Sequence, residues 1–452
     1  MKELRNERGN LRSMDLIIYG AQGMALGAYE AIHNLYPVRK IRCFLVTEKR
    51  HNPESLAGLP VMELEAFSES LPEEEKRNIE ILIATPENMM PMIEKKLEAS
   101  GLGCHVRLTS RRWAKLQSYH RTCDKEYMPL QALPVGYNRA NMHVFMAKFY
   151  RDKPLTQGYE KPEWITPIQV GAALCKERVA NILDCDGDNI SAKNGNYSEL
   201  TGLYWIWKNR LQYPCANAEY EYYGLTHYRR ILELTEDDVL RLADNEVDVV
   251  LPYPMPYEPD MEEHHKRYLK QEDWNAVRKA ILEMTPEYAK DFSKILKQKY
   301  FYNYNMVLAK KDVLEEYCSW LFPVLERVEE LSSPKGEERA DRYVGYIGES
   351  LLTLYFMYQK GKLNIMHTGC RFLTWRRMTC GAADRTCFPG QKLLGQKTRL
   401  CIQKRLPHRL ILRIFFLICF AGKSILPLYG VRRLPQIFDD FFLSAERCRF
   451  FF

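Results

Sequence analysis

A dense polar tetrad, His227-Tyr228-Arg229-Arg230, follows directly after a short apolar run at 222–226. Such a run predicts a buried strand, and strand ends are where open α/β folds place ligand-binding groups. Two adjacent guanidinium groups suit an anion there, because their planar forks bind phosphate oxygens in pairs. A diphosphate is the commonest such anion in a cytoplasmic enzyme, so we expect a diphosphate clamp. The alternative is two surface charges at a strand end, with His227 as a structural histidine.

An aromatic-rich segment at 199–209 precedes this tetrad, and its pattern predicts a helix. Tyr204 and Trp207 are three residues apart and share a face, which is most often a core face. Trp205 points elsewhere and could stack on a sugar or a base, although we expect core packing for the whole set. Glu199 opens the helix, where it either complements the positive helix end or binds a ribose or sugar hydroxyl.

The acidic loop before this helix contains Asp184, Asp186 and Asp188 at overlapping Asp-x-Asp spacings. Carboxylates two residues apart in a loop can share a hard cation. We favour a solvated turn in which an aspartate caps the next segment. We therefore expect no required metal, with Mn²⁺ or Mg²⁺ on these three aspartates as the alternative.

The first hundred residues alternate between strand and helix patterns, which implies a parallel sheet covered on both faces. The first strand ends in a glycine-containing turn with Gly20, Gly23 and Gly27. Glycines there let the backbone approach a phosphate at a helix N-terminus; the alternative is a purely structural turn between strand and helix. Segments 17–23, 58–61 and 83–86 resemble the small Rossmann-like N-terminal domain of bacterial sugar O-acyltransferases of the pilin-glycosylation type. In that family the domain can hold a nucleotide-sugar.

The rest of the chain is predicted to divide into four further parts around this Rossmann-like domain at 14–108. We expect a leader at 1–13, a polar linker at 109–141, a second α/β domain at 142–390 and a tail at 391–452. In the second domain, the pattern predicts strands at 143–147, 222–226, 247–251 and 305–309. It predicts helices near 168–174 and at 197–210, 235–243, 261–298, 311–330 and 342–358.

The second domain resembles a bacterial domain of unknown function found in capsular and exopolysaccharide biosynthesis proteins. The resemblance runs from about 143 to 375. It rests on the motifs at 167–172, 187–191, 199–209, 224–230, 248–252, 304–306 and 345–349. Members look like glycosyltransferases of the GT-A type, so the resemblance implies a GT-A-like α/β domain that transfers a sugar from a nucleotide-sugar. The alternative is a non-catalytic nucleotide-sugar-binding or scaffold protein of the same pathway.

The resemblance also implies roles for particular residues. Glu349 opens an apolar helix at a point where a GT-A fold often directs a carboxylate toward the acceptor, so it is the candidate base; otherwise it is a helix cap. His367 is a weaker candidate for phosphate or metal contact. The candidate donor-binding residues are Gln169, Gly171, Asp188, Asn189, Glu199, Trp205, His227, Tyr228, Arg229 and Arg230. The acceptor would be a lipid-linked oligosaccharide.

The formal net charge of +7 is carried by the C-terminal end of the chain. From Lys397 onward there are 11 Lys/Arg and 3 Asp/Glu, a local +8, so the preceding residues sum to −1. A nearly neutral body argues against nucleic-acid binding, which needs a basic face. The apolar run at 414–422 is far too short to span a bilayer, and its basic flanks suit an anionic membrane surface. The alternative is a C-terminal helix packed on the body of the protein. We expect a cytoplasmic protein on the inner face of the cytoplasmic membrane, which vesicle sedimentation would test.

Overall fold

The computed structural model describes residues 15–124, 126–155, 160–212, 220–333 and 339–373. By its internal contacts, the chain divides into two compact units, Met1–Arg377 and Met378–Phe452. The second unit lies outside the described residues, as do the expected leader at 1–13 and the expected basic tail at 391–452. The described part of the first unit is a mixed α/β fold built on two large sheets, which confirms the expected fold class.

The first sheet has six strands in the order β3-β4-β2-β1-β5-β6, and all neighbours are parallel except β3 and β4. Its strands are β1 (Asp15–Tyr19), β2 (Ile41–Val46), β3 (Ser55–Leu56), β4 (Leu59–Glu63), β5 (Ile79–Ile83) and β6 (His105–Arg107). The helices of this region are α1 (Gly23–Leu35), α2 (Leu64–Glu69), α3 (Glu73–Lys76), α4 (Met90–Ala99) and α5 (Ser110–Asp124). The expected N-terminal parallel sheet is thereby confirmed.

The second sheet runs in the order β16-β12-β15-β10-β7-β8-β9, with β11 joining β10 to β17. Its strands are β7 (Asn141–Lys148), β8 (Ile165–Gln169), β9 (Ile182–Leu183), β10 (Glu221–His227), β11 (Arg230–Leu232), β12 (Val249–Pro252), β15 (Val307–Lys310), β16 (Ile365–Thr368) and β17 (Cys370–Phe372). A separate two-stranded ribbon pairs β13 (Met255–Pro256) with β14 (Tyr300–Phe301). The strand β15 is antiparallel to both β10 and β12, so this sheet is mixed.

Eight helices pack around the second sheet in the described part of the chain. They are α6 (Asn194–Tyr197), α7 (Leu200–Ile206), α8 (Glu236–Asp244), α9 (Met261–His265), α10 (Gln271–Met284), α11 (Ala289–Leu296), α12 (Lys311–Leu331) and α13 (Tyr343–Tyr358). A π-helical turn, Trp207–Leu211, extends α7. No helix in the described ranges combines the length and the apolar character needed to cross a membrane.

Both faces of the second sheet are buried, as the alternation along β7 shows. Val144 and Met146 belong to one apolar cluster, whereas Phe145 and Ala147 belong to another on the opposite face. Successive side chains of a strand point to opposite faces, so a strand covered on both sides reads as a continuous apolar run. Burial on both faces therefore explains the continuous apolar run at 144–147 in the sequence.

Two sequence expectations differ from the observed elements. The segment at 109–141, expected to be a linker, contains the fifteen-residue helix α5. Trp113 of this helix packs directly against Gly27 of α1. A Cβ added at Gly27 would lie only 2.5 Å from the Trp113 ring. The helix expected near 168–174 is instead the end of β8 followed by a short 3-10 turn, Ala172–Leu174. In both cases tertiary packing outweighs a weak local pattern.

Several contacts join the N-terminal sheet region to the second sheet region. The Ala57 N–H donates to Glu258 Oε2 at 2.8 Å, and the Tyr300 hydroxyl donates to Glu30 Oε2 at 3.0 Å. Gly27 also lies against Pro256, so α1 packs closely on the β13 ribbon. The two sheets therefore belong to one compact body, and their relative placement is held by both packing and hydrogen bonds.

Candidate functional site

A cavity of about 1390 Å³ lies where the carboxyl ends of strands from both sheets meet. On the N-terminal side it is lined by the segments after β1, β2 and β5. On the other side it is lined by the segments after β7 and β10, including Asp152 and the tetrad His227–Arg230. In each sheet the strand order reverses beside these ends, between β1 and β5 and between β7 and β10. Ligands of open α/β sheets bind at such reversals.

Two carboxylates, Glu199 and Glu349, line this cavity. Glu199 directly precedes α7, and its Oε1 accepts a 2.8 Å hydrogen bond from the Asn305 side-chain amide. Its Oε2 is 3.8 Å from a guanidinium nitrogen of Arg342. Glu349 is in the second turn of α13 and is only 9% exposed.

Burial, and to a lesser extent the nearby Glu199, raise the pKa of Glu349 to about 8, although the Tyr304 backbone, Arg230 and Arg342 oppose the rise. A carboxyl group in a poorly solvated site near a like charge resists ionisation. Glu349 is therefore mostly protonated at neutral pH. A carboxyl group with a pKa in this range can accept a proton from a substrate hydroxyl and release it again.

Arg230 and His227 are both organised by Tyr304. The Arg230 guanidinium carbon lies 4.1 Å from the centroid of the Tyr304 ring, a cation–π contact. His227 Nε2 is 2.7 Å from the Tyr304 carbonyl oxygen. A carbonyl can only accept, so Nε2 must carry the proton. Burial lowers the pKa of His227, which therefore stays neutral and serves to hold the loop before β15.

Arg229 lies on the other side of the tetrad, beside Tyr228 and Asp152. Its guanidinium carbon is 5.3 Å from the Tyr228 ring centroid. Burial raises the pKa of Asp152 to about 6, and the Phe149 amide, Arg229 and Lys148 only partly oppose that rise. Sequence reasoning missed Asp152. Its position four residues after β7, next to the strand that carries the tetrad, is the signal that could have identified it.

Four residues around the carboxylate pair have left-handed backbone conformations although none is glycine. They are Ser198 (φ 53°), Tyr304 (φ 73°), Asn305 (φ 49°) and Arg342 (φ 66°). Each such residue costs on the order of 1 kcal/mol and persists only where its surroundings demand it. Here they are linked, because the Arg342 Nε donates to Ser198 Oγ at 2.8 Å and Asn305 binds Glu199. Strain concentrated at one place is typical of a functional site.

Tyr346 and Glu349 are three residues apart on one face of α13, and Arg342 directly precedes this helix. All three line the cavity. Only Glu349 was identified from the sequence. The sequence of a cation, an aromatic ring and a carboxylate around the beginning of one helix is the signal that could have identified the other two.

The acidic loop at 184–188 does not line the cavity, and its hydrogen bonds have a structural role. Asp184 is fully buried, and its two carboxylate oxygens accept hydrogen bonds from the Gly171 and Ala172 amides and the Ser191 and Thr201 hydroxyls. Asp186 and Asp188 are exposed. Across the described ranges, no group of three or more His, Cys, Asp or Glu side chains is arranged to hold a metal ion.

Other sequence candidates also lie outside the cavity lining. The Gln169 side chain is fully buried, where its amide donates to the Glu177 carbonyl and accepts from the Val179 N–H. Asn189 binds the carbonyls of its own loop, and Trp205 packs in the core with its indole N–H on the Asp186 carbonyl. The structure brings together Gly20, Gly23, Glu199, Glu349 and the tetrad, whereas Gln169, Gly171, Asp188, Asn189, Trp205 and Gly27 are outside.

Replacing Asp184 by alanine should lower the free energy of unfolding by about 3 kcal/mol, because four buried donors would lose their acceptor. Chemical denaturation of the purified chain would measure the change. The matched control is Asp186→Ala in the same loop, which should change the free energy by less than about 0.5 kcal/mol because this side chain is exposed. Equal effects of the two substitutions would contradict a structural role specific to Asp184.

Comparison with known proteins gives two findings. A family model described as a domain of unknown function, DUF4422, matches residues 153–360, a range that includes the tetrad and both carboxylates. A solved apo structure of the WbbM bifunctional glycosyltransferase is similar at 24% identity and a TM-score of 0.43, over 54% of this chain and 48% of that one. The chain thus spans about half the length of that protein. No curated protein matches the chain.

Proposed function

We propose that this protein is a glycosyltransferase that moves a sugar from a nucleotide-sugar donor to an acceptor hydroxyl. The observation that carries the proposal is the cavity itself. It combines two adjacent arginines, Arg229 and Arg230, with a buried carboxylate pair, Glu199 and Glu349, where the strand order reverses in both sheets. Glycosyl transfer needs cationic groups for the leaving diphosphate and a base for the acceptor.

In the proposed reaction, Arg229 and Arg230 bind the diphosphate of the donor. The acceptor oxygen attacks the anomeric carbon and forms the new glycosidic bond, while the bond from that carbon to the phosphate oxygen breaks. The bonding electrons leave with the nucleoside diphosphate, whose developing charge the arginines neutralise. The acceptor proton passes to the ionised Glu349 carboxylate. This is the scheme for direct displacement at the anomeric carbon.

We further propose that the acceptor is a lipid-linked oligosaccharide of capsule or exopolysaccharide assembly, reached at the inner face of the cytoplasmic membrane. The support is the local charge of +8 from residue 397 onward, beside a short apolar run. Each Lys or Arg close to an anionic surface contributes about 1 kcal/mol of attraction. Binding of the full chain to anionic vesicles that weakens at high salt would agree with this; absence of sedimentation with such vesicles would contradict it.

The test of the activity is release of nucleoside diphosphate from a panel of UDP- and GDP-sugars, with and without a lipid-linked acceptor. We expect turnover that survives EDTA, because in this proposal Arg229 and Arg230 neutralise the diphosphate without a metal ion. Loss of activity in EDTA, restored by Mn²⁺ or Mg²⁺, would contradict metal independence. Nucleotide-sugar binding without any transfer or hydrolysis would favour the scaffold alternative.

A further inference from the structure

The cavity has an aromatic side that the chemistry described so far does not use. Tyr268 and Tyr346 stack with ring centroids 4.5 Å apart and an interplanar angle of 20°. Tyr257 and His264 stack beside them at 3.8 Å and 29°. All four side chains line the cavity. We call these four residues the aromatic wall.

The aromatic wall is not simply part of the core. Tyr268 is 42% exposed, although it lies in the cavity, and Tyr257, His264 and Tyr346 are half-buried. A stacked pair of tyrosines that stays open to solvent inside a concave site presents an apolar surface with polar edges. Such a surface suits a ligand that has both an apolar face and hydroxyl groups.

Polar groups adjoin the wall on one side. Tyr346 is one helical turn before Glu349 on α13, and the Arg342 guanidinium carbon lies 5.9 Å from the Tyr346 ring centroid. Glu199 is next to Arg342. Glu199 accepts hydrogen bonds and the Arg342 guanidinium donates them, so this part of the cavity offers both kinds of polar partner that the hydroxyl groups of a polyol need.

We propose that the aromatic wall is a pyranose-binding subsite, in which a sugar ring packs its apolar C–H face on the exposed ring of Tyr268, which Tyr346 supports by stacking on its other face. Its hydroxyl groups reach the Glu199 carboxylate and the Arg342 guanidinium. The proposal rests on the proposed function, because it assigns a second part of the same cavity, and it names the substrate class at that part. The ring belongs to either the donor or the acceptor.

Saturation-transfer NMR with a panel of methyl pyranosides on the full chain tests the subsite. We expect at least one pyranoside to bind the wild type, and Tyr268→Ala to weaken that binding about tenfold through loss of the ring surface. Tyr268→Phe keeps the ring and should retain binding. The matched control is Tyr137→Ala, since Tyr137 is 98% exposed and does not line the cavity. No pyranoside signal in the wild type, or equal signals in wild type and Tyr268→Ala, would overturn the proposal.

Binding of UDP and GDP, measured by calorimetry on the same variants, separates this proposal from the proposed function. Tyr268→Ala should leave the affinity for nucleoside diphosphate unchanged. If this variant instead loses nucleoside diphosphate affinity while pyranoside binding stays intact, the aromatic wall binds the base and the proposed subsite is wrong. Pyranoside binding without any nucleotide binding would contradict the proposed transferase activity but would still support the pyranose-binding subsite. Displacement of the pyranoside by intact nucleotide-sugar, but not by the diphosphate, assigns the ring to the donor, whereas simultaneous binding assigns it to the acceptor.

Discussion

Glu349→Gln should lower turnover at least about a hundredfold, because the amide cannot accept the acceptor proton. Glutamine has nearly the same shape and tolerates burial, so the folded structure should survive. The same substitution made at an exposed carboxylate, Glu272→Gln on α10, is the matched control and should leave turnover unchanged. Wild-type turnover in Glu349→Gln would exclude this residue as the base.

The pH dependence of wild-type activity should carry the same signature. Because the pKa of Glu349 is raised to about 8, only about one-tenth of the free protein has the carboxylate at pH 7. We therefore expect kcat/KM to rise through pH 8 and level off above it. A profile that is flat from pH 6 to pH 9 would disagree with a base of this pKa.

Stability should change with pH in the opposite direction. The folded-state pKa of Glu349 lies above its ordinary value of 4.5, so the folded chain binds more protons than the unfolded chain between pH 4.5 and pH 8. The favourable contribution of the protonated carboxyl is fully present below pH 4.5 and is lost as pH rises through 8. Relative to wild type, Glu349→Gln should thus gain stability between pH 5 and pH 9, by at most about 4 kcal/mol. Denaturant unfolding at the two pH values measures it.

Replacing Arg230 by lysine should lower turnover at least about tenfold, and the same is expected for Arg229. Lysine keeps the charge but loses the planar fork that binds two phosphate oxygens, and it also loses the stacking of Arg230 on Tyr304. The effect should appear in donor affinity and in turnover. Arg139→Lys, at an exposed ion pair with Glu236, is the matched control. Unchanged kinetics in both tetrad variants would contradict the diphosphate clamp.

The elements that hold the tetrad could be predicted because they are buried on both faces. The expected strand at 143–147 lies within β7, and the expected strand at 222–226 lies within β10. A long run of apolar residues is the direct consequence of such burial. The two carboxylates were identified by other signals: Glu199 directly precedes the aromatic-rich helix α7, whereas Glu349 was singled out by the family resemblance and lies in the second turn of α13.

The surroundings of the carboxylates could not be predicted. Tertiary contacts impose the left-handed conformations of Tyr304 and Asn305. A positive φ is far less common for tyrosine and asparagine than for glycine, so these residue types do not predict it. The aspartates at 184–188 carry the residue types of a metal site, but only the fold shows that Asp184 is occupied by four donors. Local composition does not determine which polar groups point into the cavity.

The contacts between the two sheet regions have a consequence for how the chain unfolds. Gly27 is packed against both Trp113 and Pro256, and the pairs Ala57–Glu258 and Glu30–Tyr300 span more than 200 residues of sequence. Unfolding of either sheet region would leave these groups without partners and would destabilise the other region. We therefore expect that neither sheet region unfolds before the other. The described part of the first unit should therefore melt as one cooperative transition. A nucleotide that binds either wall of the cavity would then raise the melting temperature of both sheets together.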